Sequence, residues 1–229
     1  MVSKIVYLDI ETTPKCVDWM RGYEGLDAWE ILTVQWQEVD AFTGQEIGEL
    51  KMIKRWEEGT EKDFIREVLS SERLVVDYSY QYYNKEEKRE VEAYKKVDNF
   101  LFSENPPKLG HNLKFEQQAL EGKVKQFGSS MKPMIIYGWN IDMMPFGILR
   151  SGPSVDSWGI KFEKKGGQTR GSSLHNISCK ETSGKVVGKM YEDEDWKGIE
   201  DYVRKETKCA IETYRQLLDH MKDWKYVEK

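Results

Sequence analysis

The sequence is poor in cysteine, histidine and proline, and it has no long hydrophobic run. Its three cysteines, Cys16, Cys179 and Cys209, are odd in number and widely scattered. They make neither a CxxC metal motif nor a recognisable disulfide framework, so a reducing, cytoplasmic setting is expected. Three histidines and no paired cysteines leave little from which to build a zinc centre. Six prolines and eighteen glycines in 229 residues are too few for a fibrous or disordered chain. The longest strongly apolar, uncharged stretch covers residues 134–141 and is interrupted by Gly138 and Asn140. That falls far short of the ~20 residues a membrane span needs, so no membrane partner is expected. The start of the chain, MVSKIVYLDIETT, has no secretory h-region and no small-residue cleavage site.

The chain has a net charge of −5 with 39% hydrophobic residues, enough to bury a core and too acidic for a general nucleic-acid coat. The charge is uneven. Residues 161–189 hold seven basic side chains against two acidic ones, a local stretch able to hold a polyanion or simply to be solvated. The segment Ile5-Val6-Tyr7-Leu8-Asp9-Ile10-Glu11 reads as a strand covered on both faces. Residues 32–39 and 48–56 read as two more, joined through Phe42-Thr43-Gly44-Gln45, which predicts an antiparallel three-strand meander. Thr60 begins a helix with apolar spacing Phe64, Ile65, Val68, Leu69. Tyr78, Tyr80 and Tyr82 alternate, as on one strand face, and read either as packing or as a base-stacking surface. Residues 85–101 have helical spacing, 108–111 suit a short central strand, 113–127 a helix, and 133–141 a strand. The glycine- and serine-rich 151–173 reads as a loop, 174–179 as a short helix, and 196–224 as one long helix or two abutting ones. With no internal repeat and no linker, residues 1–229 read as a single α/β domain, a mixed central sheet with helices on both faces.

Four acids fall in awkward places. Strand alternation puts Asp9 and Glu11 on the same face of an otherwise apolar strand. Two like charges there are costly to desolvate unless a cation compensates them or the strand end is frayed and solvated. The apolar seam of the C-terminal helix runs Ile199, Tyr202, Val203, Cys209, Ala210, Tyr214, and its period demands a core residue at the position of Glu206, with Tyr202 one turn before it. On the helix after Asn112, Leu113, Leu120, Val124 and Phe127 mark a face on which Glu116 falls, with Lys114 and Lys123 read as pointing elsewhere. Three elements thus push carboxylates inward, and hard divalent cations with oxygen ligands are the usual answer.

YLDIETT, LGHNLKFE and DYVRKE, in this order and spacing, resemble the three motifs of the DEDD 3′–5′ exonucleases in their tyrosine variant, the family of polymerase proofreading domains and their free-standing relatives. The resemblance spans about residues 4 to 218 and implies an RNase H-like fold. It implies catalytic and metal-ligating roles for Asp9, Glu11, Glu116 and Glu206, with Tyr202 orienting the attacking water. Two of the family's aspartates are glutamates here, Glu116 and Glu206, each longer by one methylene. The family pattern implies two Mg²⁺ or Mn²⁺ ions ~3.5–4 Å apart, bridged by Asp9, with Glu11 and Glu206 on one and Glu116 on the other. It implies as substrate the 3′ end of single-stranded DNA or RNA, with a polymerase or repair-complex partner within the family's range. Thr12, Asn112, Lys164, Lys165, Arg170 and Lys180 are the candidate nucleic-acid contacts. His111 reads as a structural histidine, His175 as a weaker phosphate candidate, and Asp142 as a substitute ligand should Glu116 fall out of reach. The competing expectations are a catalytically weakened or inactive module that binds nucleic acid or a partner, and an RNase H-like endonuclease.

Overall fold

The computed structural model describes residues 4–70, 72–138, 140–144 and 185–222, with the backbone of four short strand segments between 154 and 169. In chain order the main elements are β1 (Lys4–Thr12), α1 (Lys15–Met20), β2 (Ile31–Asp40), β3 (Glu46–Lys54), α2 (Glu61–Ser70), β4 (Val76–Asn84), β5 (Arg89–Val97), β6 (Lys108–Gly110), α3 (Leu113–Gln126), β7 (Ile141–Asp142), α4 (Lys185–Glu192) and α5 (Trp196–Lys222). The central sheet has five strands in the order β3-β2-β1-β6-β7. β1, β2 and β3 are antiparallel neighbours, whereas β6 pairs with β1 in parallel and β7 with β6 in parallel. A three-strand meander extended by two parallel strands makes a mixed α/β sheet with helices on both faces, the arrangement expected from the sequence.

The alternation of β1 decides what each face of the sheet meets. Val6, Leu8 and Ile10 join Val34 and Trp36 of β2, Phe64, Ile65 and Val68 of α2, and Leu113, Leu120 and Val124 of α3 in the larger core. Ile5 and Tyr7 point the other way and pack with Ala210, Ile211 and Tyr214 of α5. Helices therefore cover both faces, and Asp9 and Glu11 share the face that α5 covers. The first turn of α2 is capped as expected, the Asp63 N–H donating to Thr60 Oγ1 at 3.2 Å.

Several local expectations are corrected. Residues 85–101 supply a strand, β5, which pairs along its whole length with β4 to make a two-stranded ribbon. Its many glutamates and lysines favour a helix, but Val91, Ala93, Lys95 and Val97 also alternate, and pairing with the tyrosine-rich strand prevails. Among the described residues of 133–141, only Ile141 is in a strand. The backbone before it is satisfied by a side chain instead of a ladder: Gln117 Nε2 donates to Pro133 O at 2.8 Å and Ile135 N–H donates to Gln117 Oε1 at 2.9 Å. Within 151–173 the backbone forms short strand pairs, Ser154–Asp156 with Gly159–Lys161 and Lys164–Lys165 with Gln168–Thr169. Residues 174–179 lie outside the described residues. The C-terminal segment is one helix as far as Lys222. Cys16 is a buried free thiol, but Cys209 is disulfide-bonded, against the expectation of no pairing. Sequence separation alone does not reveal which thiols a fold brings together.

Lys123 belongs to the interior and not to a solvated side of α3. It is fully buried, and its Nζ lies 3.0 Å from Glu61 Oε1 of α2, donates to Leu26 O at 2.8 Å and to Trp29 O, and sits 4.3 Å from the centre of a Trp29 ring.

Candidate metal centre

β1 carries Asp9 and Glu11 to its C-terminal half, on the face under α5. The long helix lays Tyr202 and Glu206 over the same place, because its apolar seam must lie on the sheet and both residues are on that seam. One carboxylate oxygen each of Asp9, Glu11 and Glu206 lies within 4.8 Å of the others, the group among the described residues able to hold a metal ion. Glu11 and Glu206 are buried, Asp9 partly so. Glu116 reaches the site from the first turn of α3 and is buried to 3% exposure, but it stands outside that close group. All four acids nevertheless share one neighbourhood. Burial, and then the charges of Asp9, Glu206, Glu116 and Glu11, all act on the phenol of Tyr7 beneath them and push its pKa up.

Electrostatics at the site follow from crowding like charges in a dry place. The Glu116 carboxyl is pushed well above its ordinary range, first by burial, then by Asp9, Asp142 and Glu11. Its Oε2 is buried with no hydrogen-bond partner. Tyr202 is likewise shifted upward, by burial first and then by the charges of Glu11 and Glu206. It holds its proton through the neutral range, so its hydroxyl is able to donate a hydrogen bond and not to serve as a base. A set of all-oxygen donors, an orphaned buried carboxylate oxygen and mutually repelling acids fit a hard divalent cation such as Mg²⁺ or Mn²⁺.

Two side chains that sequence reasoning passed over support this cluster. Gln35 lies opposite Asp9, and Thr33 opposite Glu11, in the β1–β2 register. Both are fully buried. Thr33 Oγ1 donates to Gln35 Oε1 at 2.6 Å, and Gln35 Nε2 donates to Asp9 Oδ2 at 3.0 Å. Because its carbonyl oxygen is taken by Thr33, Gln35 presents its NH₂ to Asp9, which favours the ionised carboxylate and fixes its orientation. The signal lay in the alternation Thr33, Gln35, Gln37 within an apolar strand, which reads as a solvated face until α5 is placed over it.

Other candidates find different work. Asp142 does not substitute for Glu116 in the close group. Its Oδ1 accepts from Asn112 N–H at 2.7 Å and Met144 N–H at 2.9 Å, and its Oδ2 from Leu113 N–H at 3.1 Å. It thus caps α3 from β7 and steadies the helix that carries Glu116. Asn112 occupies the N-cap position in a left-handed conformation (φ 65°) and makes no side-chain cap. His111 and Thr12 are both half-buried, at the ends of β6 and β1 nearest the acids. Thr12 is hydrogen-bonded to the thiol of Cys16, whose pKa burial pushes up to about 12. Lys164 and Lys165 are strand residues whose side chains, with Arg170, His175 and Lys180, lie outside the described residues.

No family model matches the chain, and no curated protein is similar to it. Among solved structures, one described as Exonuclease I in its apo form is similar at 12% identity with a TM-score of 0.35, over 76% of this chain and 36% of that one. The chain spans about a third of that protein's length, and so remote a likeness says nothing about chemistry.

Proposed function

We propose that the protein is a metal-dependent 3′–5′ exonuclease. It would hydrolyse phosphodiester bonds from the 3′ end of single-stranded nucleic acid, DNA favoured, and release nucleoside 5′-monophosphates. One observation carries this reading: Asp9, Glu11 and Glu206, from a strand and a distant helix, bring carboxylate oxygens within 4.8 Å of one another.

Asp9, Glu11 and Glu206 would hold one Mg²⁺ or Mn²⁺ ion, and Asp9 and Glu116 would hold a second. Bound there, divalent ions would neutralise the scissile phosphate and stabilise the departing 3′-oxygen. The chain's own groups do the rest. Gln35 donates to Asp9 Oδ2 and fixes its orientation. Tyr202, kept protonated by burial and by its acidic neighbours, is a donor that orients the attacking water. The water oxygen bonds to phosphorus as the bond to the 3′-oxygen breaks. The proton lost by the water goes to solvent, and the leaving oxygen takes one up. Thr12 and Asn112 flank the acids and offer polar contacts to the terminal nucleotide, while Lys164, Lys165, Arg170 and Lys180 supply positive charge along the strand. Such a domain also suits attachment to a polymerase or repair complex.

The test is a 5′-labelled single strand incubated with Mg²⁺ or Mn²⁺. A ladder growing from the 3′ end, lost with chelator and in Asp9→Ala, supports the proposal. Absence of cleavage with either ion overturns it, and nicks within a circular strand point to an endonuclease. A second reading, a weakened or inactive module that binds nucleic acid or a replication partner, is favoured by the position of Glu116 outside the close group. It expects Glu116→Asp combined with Glu206→Asp to create or raise activity.

A further inference from the structure

The β4–β5 ribbon is two-faced, and the two faces carry opposite charge. The register pairs Val76 with Val97, Tyr78 with Lys95, Tyr80 with Ala93, Tyr82 with Val91 and Asn84 with Arg89, so these ten side chains share one face. The other face holds Asp77, Ser79, Gln81, Tyr83, Glu90, Glu92, Tyr94 and Lys96. The first face has two cations and no acid; the second has three acids and one cation. Val76, Tyr78 and Val97 anchor the base of the first face in the main core, and Tyr80 packs partly against it. Towards the tip nothing among the described residues continues the cover, and Tyr82 is 44% exposed. The three tyrosines form a row, with ring centres 6.0 Å and 6.1 Å apart. Lys95 is exposed beside the row, and Arg89 at the tip is exposed and paired with Glu87.

We propose that the outer part of this aromatic, cationic face, Tyr80, Tyr82, Lys95 and Arg89, is a platform for single-stranded nucleic acid. Core packing accounts for Tyr78 but not for Tyr82, whose ring is held in a row by its neighbours and presented to solvent. Ordered aromatic rings flanked by cations are the elements from which sequence-tolerant single-strand sites are built, bases stacking on the rings and phosphates meeting the cations. The three strand carboxylates lie on the opposite face, away from a bound polyanion, and the turn acid Glu87 on this side is paired with Arg89. The platform would hold the body of the strand whose end is trimmed, so in part it rests on the nuclease reading. It is tested without catalysis.

Binding of a fluorescein-labelled oligothymidylate to the full chain is followed by fluorescence anisotropy in chelator, where no metal-dependent cleavage can occur. Tyr82→Leu, which keeps apolar bulk and removes the ring face, is expected to weaken binding by about tenfold, and Tyr82→Trp to restore or tighten it. Lys95→Glu should weaken binding and reduce the slope of log affinity against log salt by about 0.7 or more. Tyr94→Ala, on the acidic face, should bind as the parent does. Tyr82→Leu and Lys95→Glu proteins that melt like the parent and bind as tightly overturn the platform and leave this face to a protein partner. A parent chain that binds no oligonucleotide overturns it too. A parent that binds through the ribbon but never cleaves when ions are added rejects the nuclease reading alone.

Discussion

Glu116 and Lys123 are carried by the same helix, α3, and both are buried, yet their charges are handled in opposite ways. Around Lys123 the protein supplies everything the ammonium needs: the Glu61 carboxylate, two backbone carbonyls and the face of Trp29. Around Glu116 the charges that act most strongly are those of other carboxylates, and one of its oxygens has no hydrogen-bond partner. The first arrangement is closed and holds α3 to the loop before β2 and to α2. The second is open, and its repulsion is relieved by a proton or by a cation from solution. Buried charge by itself does not mark a functional site. What marks one is buried charge whose compensation the fold leaves to a ligand.

The comparison can be broken first at its acidic side. Asp9→Ala is expected to lower the initial rate of strand cleavage by on the order of a thousandfold, since it removes a member of the close group whose charge also acts on Glu116. On the closed side, Lys123→Met should destabilise the fold by about 3 kcal/mol, because the half-buried Glu61 is left without its partner. Urea denaturation would measure this, and adding Glu61→Gln should recover part of the loss. Glu116→Gln on the same helix should behave in the opposite sense, raising Tm in chelator while removing much of the stabilisation by Mn²⁺. If both helix positions destabilise alike, the contrast between them is wrong.

Smaller effects sharpen the contrast. Gln35→Leu should cost about 10–100-fold in Mn²⁺ affinity by calorimetry, with the acids themselves unchanged. The pH dependence has a defined sign. Glu116 has its pKa raised on folding, so between its unfolded and folded values the native state binds more protons, and stability falls as pH rises through that window. Metal-free protein should therefore lose Tm from about pH 5 upward, and the Tm gain from Mn²⁺ should grow over the same range. Asp142→Ala removes a helix cap and should cost about 1 kcal/mol while leaving Mn²⁺ affinity nearly unchanged, which would separate capping from ligation.

Much of the frame could be read from residue order. The near-continuous apolar run of β1, the turn at Thr43-Gly44 and the seam of α5 each depend on neighbours close in sequence, and each element forms where expected. The same periodicities put Asp9 with Glu11 and Glu206 with Tyr202. Residues 85–101 misled because their composition suits a helix and their alternation suits a strand, and only the partner strand decides between the two. Thr33 and Gln35 were hidden for a related reason. A polar face on a strand looks the same in sequence whether water or a helix lies against it.

The sequence alone therefore determined which side chains share a face, because strand and helix periods are properties of the backbone and need no partner. It also determined that carboxylates would point inward from three elements. Tertiary structure decided the rest: that α5 crosses over β1 and closes three acids to within 4.8 Å, that Glu116 stands beside and not among them, and that Gln35 aims Asp9. Those are distances between segments far apart in the chain. They are set by how the two cores pack against the sheet, a balance that no local pattern encodes.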